Sequence, residues 1–177
     1  MIGALARAAG ALALALAAAA CSGTPKLACP TAIIMPELQA VAKFGPGPGR
    51  QDSDAIYGAR LLAATASCDE DKKRGGITVA TKLGVTAVRV KPDVRKGQIT
   101  YFVAVIDRRQ NILNKRDFVV DLDFPSAQSR LEITEDLEEF IPLGKGGNGA
   151  EYGIVIGFEL TPDELQYNRE HAPRTQG

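Results

Sequence analysis

Tyr152-Gly153-Ile154-Val155-Ile156-Gly157-Phe158-Glu159-Leu160 decides the fold. Tyr152, Ile154, Ile156, Phe158 and Leu160 fall on one side of an extended chain, and Glu151, Gly153, Val155, Gly157 and Glu159 on the other. A period of two with one apolar face is the mark of a half-buried strand. The same pattern stands upstream, where Phe118, Val120, Leu122 and Phe124 alternate with Val119, Asp121 and Asp123. Ile77, Val79, Leu83 and Val85 share a face, while Val88 and Val90 have the opposite phase, so a bulge or bend is expected near Thr86. Ile99 to Ile106 is apolar on both faces, as a central strand is. Asp107 to Asn111 reads as a turn, and Leu131 with Ile133, Ala55 to Ala66 and Ala32 to Met35 supply further strands. Pro36 to Phe44 reads equally as a helical turn or a strand.

One helix is announced. Thr161-Pro162-Asp163-Glu164 places a capping hydroxyl, a proline at the first helical position and a glutamate three residues after the cap. About two turns are expected, ending before Pro173. Seven or eight strands with turns at intervals and one short helix give a mainly β chain. The expected fold is an antiparallel two-sheet sandwich, immunoglobulin-like in architecture, with a short C-terminal helix.

The N-terminus has a different character. Arg7 is the sole charge before Lys26, and the 13 residues Ala8 to Ala20 are all Ala, Leu or Gly. Thirteen is short of the roughly 20 apolar residues that span a bilayer. It suits the roughly 7–15 of an export signal, and small residues precede a signal-peptidase cut. Ala18-Ala19-Ala20-Cys21 resembles the lipobox of bacterial lipoproteins, with Ala18 standing where Leu is usual. That resemblance implies that residues 1–20 are removed and that Cys21 is lipidated, with a palmitate among the acyl chains. Ser22 after the cysteine implies sorting to the outer membrane, facing the periplasm. The expected organisation is a signal peptide over 1–20, a lipidated tether over 21–28, a β-sandwich domain over 29–170 and a flexible tail over 171–177.

Removing 20 residues from 177 leaves 157, one ordinary domain with enough chain for a real core. Lys and Arg number 21 and Asp and Glu 21, so no basic excess speaks for nucleic acid. Cys29 and Cys68 remain. Beyond the inner membrane paired cysteines are usually bridged, and a disulfide is expected. A metal or redox pair would want closer spacing and nearby His, and the one His is His171.

Two Gly-rich loops, 45–49 and 144–149, lack the Lys-Ser/Thr of a phosphate loop, and two prolines remove backbone donors from the first. Five carboxylates crowd residues 132–139, which reads as a solvated edge or turn; calcium-loop spacing is absent. Arg108, Arg109, Lys115 and Arg116 flank one hairpin. His171, on the expected tail, is a poor partner for a nucleophile. Tyr101, Phe102, Tyr152 and Phe158 are simplest as core.

Several short motifs resemble those of uncharacterised proteobacterial lipoproteins: Cys29-Pro30, Phe44-x-Pro46-Gly47-x-Gly49-Arg50, Tyr101-Phe102-Val103-Ala104-Val105, Ile141-Pro142-Leu143, Gly157-Phe158-x-Leu160-Thr161 and Tyr167-Asn168-Arg169. The resemblance implies a cell-envelope location and no chemistry. No enzyme activity, no metal and no cofactor are expected. The expected function is a membrane-anchored, non-catalytic protein-binding or scaffolding module with an envelope protein as partner. The alternative is a periplasm-facing small-ligand or glycan-binding lipoprotein. The two Gly-rich loops and the 107–116 hairpin are the candidate surfaces.

Overall fold

The computed structural model describes residues 28–47, 50–144 and 146–171. The signal, Cys21 and most of the tether lie outside the described residues. Eight strands form: β1 (Thr31–Ile34), β2 (Ala40–Phe44), β3 (Ala55–Asp71), β4 (Gly76–Arg89), β5 (Lys96–Asp107), β6 (Ile112–Asp123), β7 (Arg130–Pro142) and β8 (Tyr152–Phe158). The stretch 36–44 splits into a 3-10 turn (Pro36–Leu38) and β2, so each half of it takes one of the two expected conformations.

The strands make two four-stranded sheets, ordered β1-β8-β5-β6 and β2-β3-β4-β7. Pairing is antiparallel except between β1 and β8. The sheets face each other as the expected sandwich. Leu61, Ile77, Leu83 and Val85 of one sheet and Ile99, Tyr101, Leu122, Ile154, Ile156 and Phe158 of the other are buried in one core. β5 is interior to its sheet, which explains why Val103, Ala104 and Val105 are buried in succession.

The bulge lies beside Thr86 in the ladder, but in the neighbouring strand β3 and not in β4. Pairing of β4 with β7 runs unbroken from Gly76 to Val88. The register shift lies across the ladder in β3, where Leu61 faces Val85 and Ala63 faces Gly84. Leu62 is the extra residue and is exposed. Before it the odd positions Tyr57, Ala59 and Leu61 point inward; after it the even positions Ala64, Ala66 and Cys68 pack on the core. Small residues dominate β3 on both phases, so its slip carries little hydropathy signal. Val88 changes phase for a simpler reason: it sits on the solvent face near the end of β4.

Cys29 and Cys68 are joined by a disulfide with Cα atoms 5.6 Å apart. Helix α1 (Pro162–His171) is capped in both directions: the Thr161 backbone N–H donates to Glu164, and the Glu164 N–H donates to the Thr161 hydroxyl. At 10 residues it is nearer three turns than two. His171 therefore ends the helix instead of opening a tail, because its ring stacks on Tyr167 one turn back at 4.1 Å.

Candidate functional site

The sandwich has two different poles. Thr31 pairs with Gly153, Gly153 with Ile106, and Ile106 with Ile112, so these four residues form one row across the first sheet. Beyond the row lie the β5–β6 turn and the entry of the chain. Ala28 fits so closely that a Cβ on Gly149 would come within 2.1 Å of its carbonyl oxygen and 2.9 Å of the Ile77 side chain. Ile77 begins β4, so the β3–β4 turn is also here, and Gly75 accepts the Leu143 N–H. The hairpin tip and the 144–149 loop, expected as separate surfaces, thus share the pole through which the chain enters.

The opposite pole gathers three connections: the described parts of 45–54 (45–47 and 50–54), 90–95 and 124–129. The Lys91 ammonium donates to Ser53 O at 2.6 Å, Arg89 donates to Ser126 O at 3.3 Å, and the Phe124 N–H donates to Arg95 O at 2.8 Å. Tyr57 ties this pole to the other sheet, its hydroxyl donating to Gln98 O and accepting from Gln98 N–H.

At the side of this pole two of the quoted motifs meet, Phe44 to Arg50 and Tyr167-Asn168-Arg169. Phe44 and Tyr167 pack edge to face at 5.1 Å, and the Arg50 guanidinium lies 5.2 Å from the Phe44 ring centre. Arg50 also pairs with Asp163 at 3.5 Å, and Lys43 with Glu164 at 2.7 Å. Asn168 donates to the carbonyls of Glu37 and Ala40, and Arg169 pairs with Glu37. Tyr167 donates to Asp52, which also faces His171 at 3.8 Å. These contacts fasten α1 over the edge formed by the 3-10 turn and β2. They leave a cleft of about 370 Å³ lined by Arg50, Asp163, Gln166, Tyr167 and Glu170. Its polar groups already serve one another, so the arrangement is a clasp with a shallow groove.

Desolvation first, then the bond to Asp52, push the Tyr167 hydroxyl up to about 12. The folded state thus holds the proton above the ordinary value near 10. The stability from this contact is whole below pH 10 and is lost as pH rises through about 12. Absorbance titration at alkaline pH should show a late phenolate step that Tyr167→Phe removes. An unchanged titration would mean that Tyr167 does not hold Asp52 in solution.

The basic hairpin is largely neutralised by acids from elsewhere in the fold. Lys115 bonds Glu159 and lies 3.3 Å from Asp117; Arg116 meets Glu139 at 3.0 Å, and Arg108 meets Glu151 at 3.5 Å. Asp107 accepts from the Asn111 side chain and from the backbone N–H groups of Arg109 and Asn111, which hold its carboxyl below the usual range.

The acidic run 132–139 lies in β7, an edge strand of the second sheet, as a solvated edge requires. It is not solvated throughout. Glu139 is buried beneath Arg116 and Asn114 of β6, and Glu135 accepts from the Tyr101 hydroxyl at 3.2 Å. Burial, then the Glu135 charge, raise that phenol well above its ordinary value. Tyr101 also stacks on Phe118 at 5.2 Å. These polar contacts close the seam between the two sheets' edges. The signal was in the sequence: Leu131, Ile133, Leu137 and Ile141 share one phase, and Glu135 and Glu139 share it with them.

Among the described residues no three His, Cys, Asp or Glu side chains gather to hold a metal ion, and no helix is long and apolar enough to cross a membrane. Comparison with protein-family models, with curated proteins and with solved structures finds no match to this chain.

Proposed function

We propose that the chain is a lipid-anchored module of the bacterial cell envelope, held at Cys21 to the outer membrane and facing the periplasm. It works by binding a protein partner at the pole farthest from its anchor, not by catalysis. The observation that carries this reading is the separation of the poles. The chain enters beside Gly149 and Ile77, while the 45–54, 90–95 and 124–129 connections cluster at the other end of β3, whose 17 residues span about 55 Å. Residues 21–28 reach at most about 25 Å. An anchor at Cys21 therefore keeps the entry pole near the bilayer and leaves the opposite loops to meet proteins, on a rigid scaffold of the kind that commonly carries recognition.

A lipid on Cys21 also supplies the attachment. One acyl chain binds a bilayer marginally, whereas two or more hold firmly. The test has two parts. The mass of the N-terminal peptide from protein made in a competent host should show a lipidated Cys21 and no residues 1–20; an unmodified thiol there sinks the anchor. A photo-crosslinking residue at Ser53 or Ser126 should then trap one envelope protein in intact membranes. Equal trapping from Thr134, on the outer face of β7, would sink the polar-recognition part.

A further inference from the structure

Ile112 and Leu113 are 64% and 54% exposed. Consecutive strand residues point to opposite faces of the ribbon, so both faces are bare and apolar at this point. All of Ile112 to Asp117 is exposed, although Asn114 and Arg116 also bond Glu139 of β7. Neither side chain belongs to the core or packs against it.

Their position gives them a use. Ile112 is in the row Thr31, Gly153, Ile106, Ile112, three strand spacings and about 14 Å from Thr31. Thr31 is where the chain emerges from the 21–28 segment, whose full reach is about 25 Å. A surface that holds Cys21 lies within reach of the hairpin tip. The turn beside the two apolar residues carries Arg108 and Arg109. Arg108 pairs with Glu151, and the acidic member of the turn, Asp107, is occupied by Asn111. The Arg109 charge acts on Asp107, whose oxygens are held by Asn111 and the Arg109 N–H. The turn is held tight by Gln110 at φ 64°. Two residues beyond Leu113 comes Lys115, and two further Asp117, which set a limit to burial.

We propose that the β5–β6 hairpin tip is a second membrane contact: Ile112 and Leu113 enter the interfacial zone of the bilayer that carries the Cys21 lipid, with Arg109 at the level of the phosphates. Apolar side chains with flanking cations are the composition of segments that lie in this zone. The contact alone is weak. It acts because the anchor makes it intramolecular, at high effective concentration. It fixes the rotation of the domain about its tether, and so which loops face outward. The inference rests on the anchored reading.

The chain has no Trp, so Leu113→Trp introduces a single indole reporter. Full-length lipidated L113W, with far-UV dichroism matching the parent, is reconstituted into phosphatidylethanolamine–phosphatidylglycerol vesicles. V119W serves as the comparison, since Val119 is equally exposed at 60% but lies farther along the same strand, opposite Thr100. The expected result is blue-shifted L113W emission, most of it lost with brominated acyl chains, and V119W emission unchanged by either. Protein that floats with the vesicles and carries the Cys21 lipid, yet shows solvent-like L113W emission, would overturn the hairpin contact and leave the anchor standing. A blue shift without quenching by brominated lipid would overturn it in favour of a second copy or a protein on the hairpin. Protein that fails to float and has an unmodified Cys21 would remove the anchor itself.

Discussion

Replacing Cys68 with alanine is expected to lower the stability of the domain by about 4 kcal/mol, the loop-entropy value for a bridge closing 39 residues. The bridge joins the segment before β1 to β3, in the opposite sheet. Without it, the N-terminal segment keeps the four-residue pairing of β1 with β8, its packing on Gly149 and the contact of Ala32 and Ile34 with the core. Cys68 also packs against the core, so alanine removes a contact together with the bond. Chemical denaturation of the parent with and without reductant gives the same comparison without mutation. The midpoint should fall on reduction in the parent and stay fixed in the Cys68→Ala variant. A parent insensitive to reductant would show that the two thiols are free in solution.

Phe158→Ala is expected to cost a comparable amount, about 3–5 kcal/mol, because a large side chain with 1% exposure leaves a cavity its neighbours cannot fill. Phe158 ends β8 opposite Tyr101, itself fully buried, and the chain then turns into the capped helix. The loss therefore reaches beyond one contact. For a domain of this size the melting temperature should fall by about 10 °C or more. Thermal unfolding followed by far-UV dichroism checks this, with Val119→Ala on the solvent face as a variant expected to shift it little. Similar shifts for the two would mean that the core is not centred on the β5–β8 pair.

That β6 and β8 are strands with one buried face was legible because Phe118 to Leu122 and Tyr152 to Phe158 each keep one phase. The helix start was legible because Thr161 and Glu164 act locally, across three residues. What was not legible depends on distance. The bulge at Leu62 hides in a strand of Ala, Thr and Ser, where moving every side chain to the other face changes hydropathy very little. Glu135 and Glu139 looked like surface because a buried carboxylate is read as buried only when its partner is known, and Tyr101 and Arg116 come from another sheet. The clasp of Phe44, Arg50 and Tyr167 joins residues more than a hundred positions apart. The charged hairpin was read as a patch, yet most of its cations are matched by acids that the sequence places far away.

The disulfide also decides how the molecule would carry a load. A pull on the tether reaches Cys29 before it reaches Thr31, and at Cys29 the path divides. One branch runs along β1, whose ladder with β8 is short and parallel. The other crosses a covalent bond into β3, the longest strand, which is laced to β4 over fourteen residue pairs. On the proposed anchor, tension applied at the tether is thereby handed to the middle of the second sheet, and the four-residue strand at the entrance is spared. The bridge is a strain relief, like the clamp where a cable enters its housing.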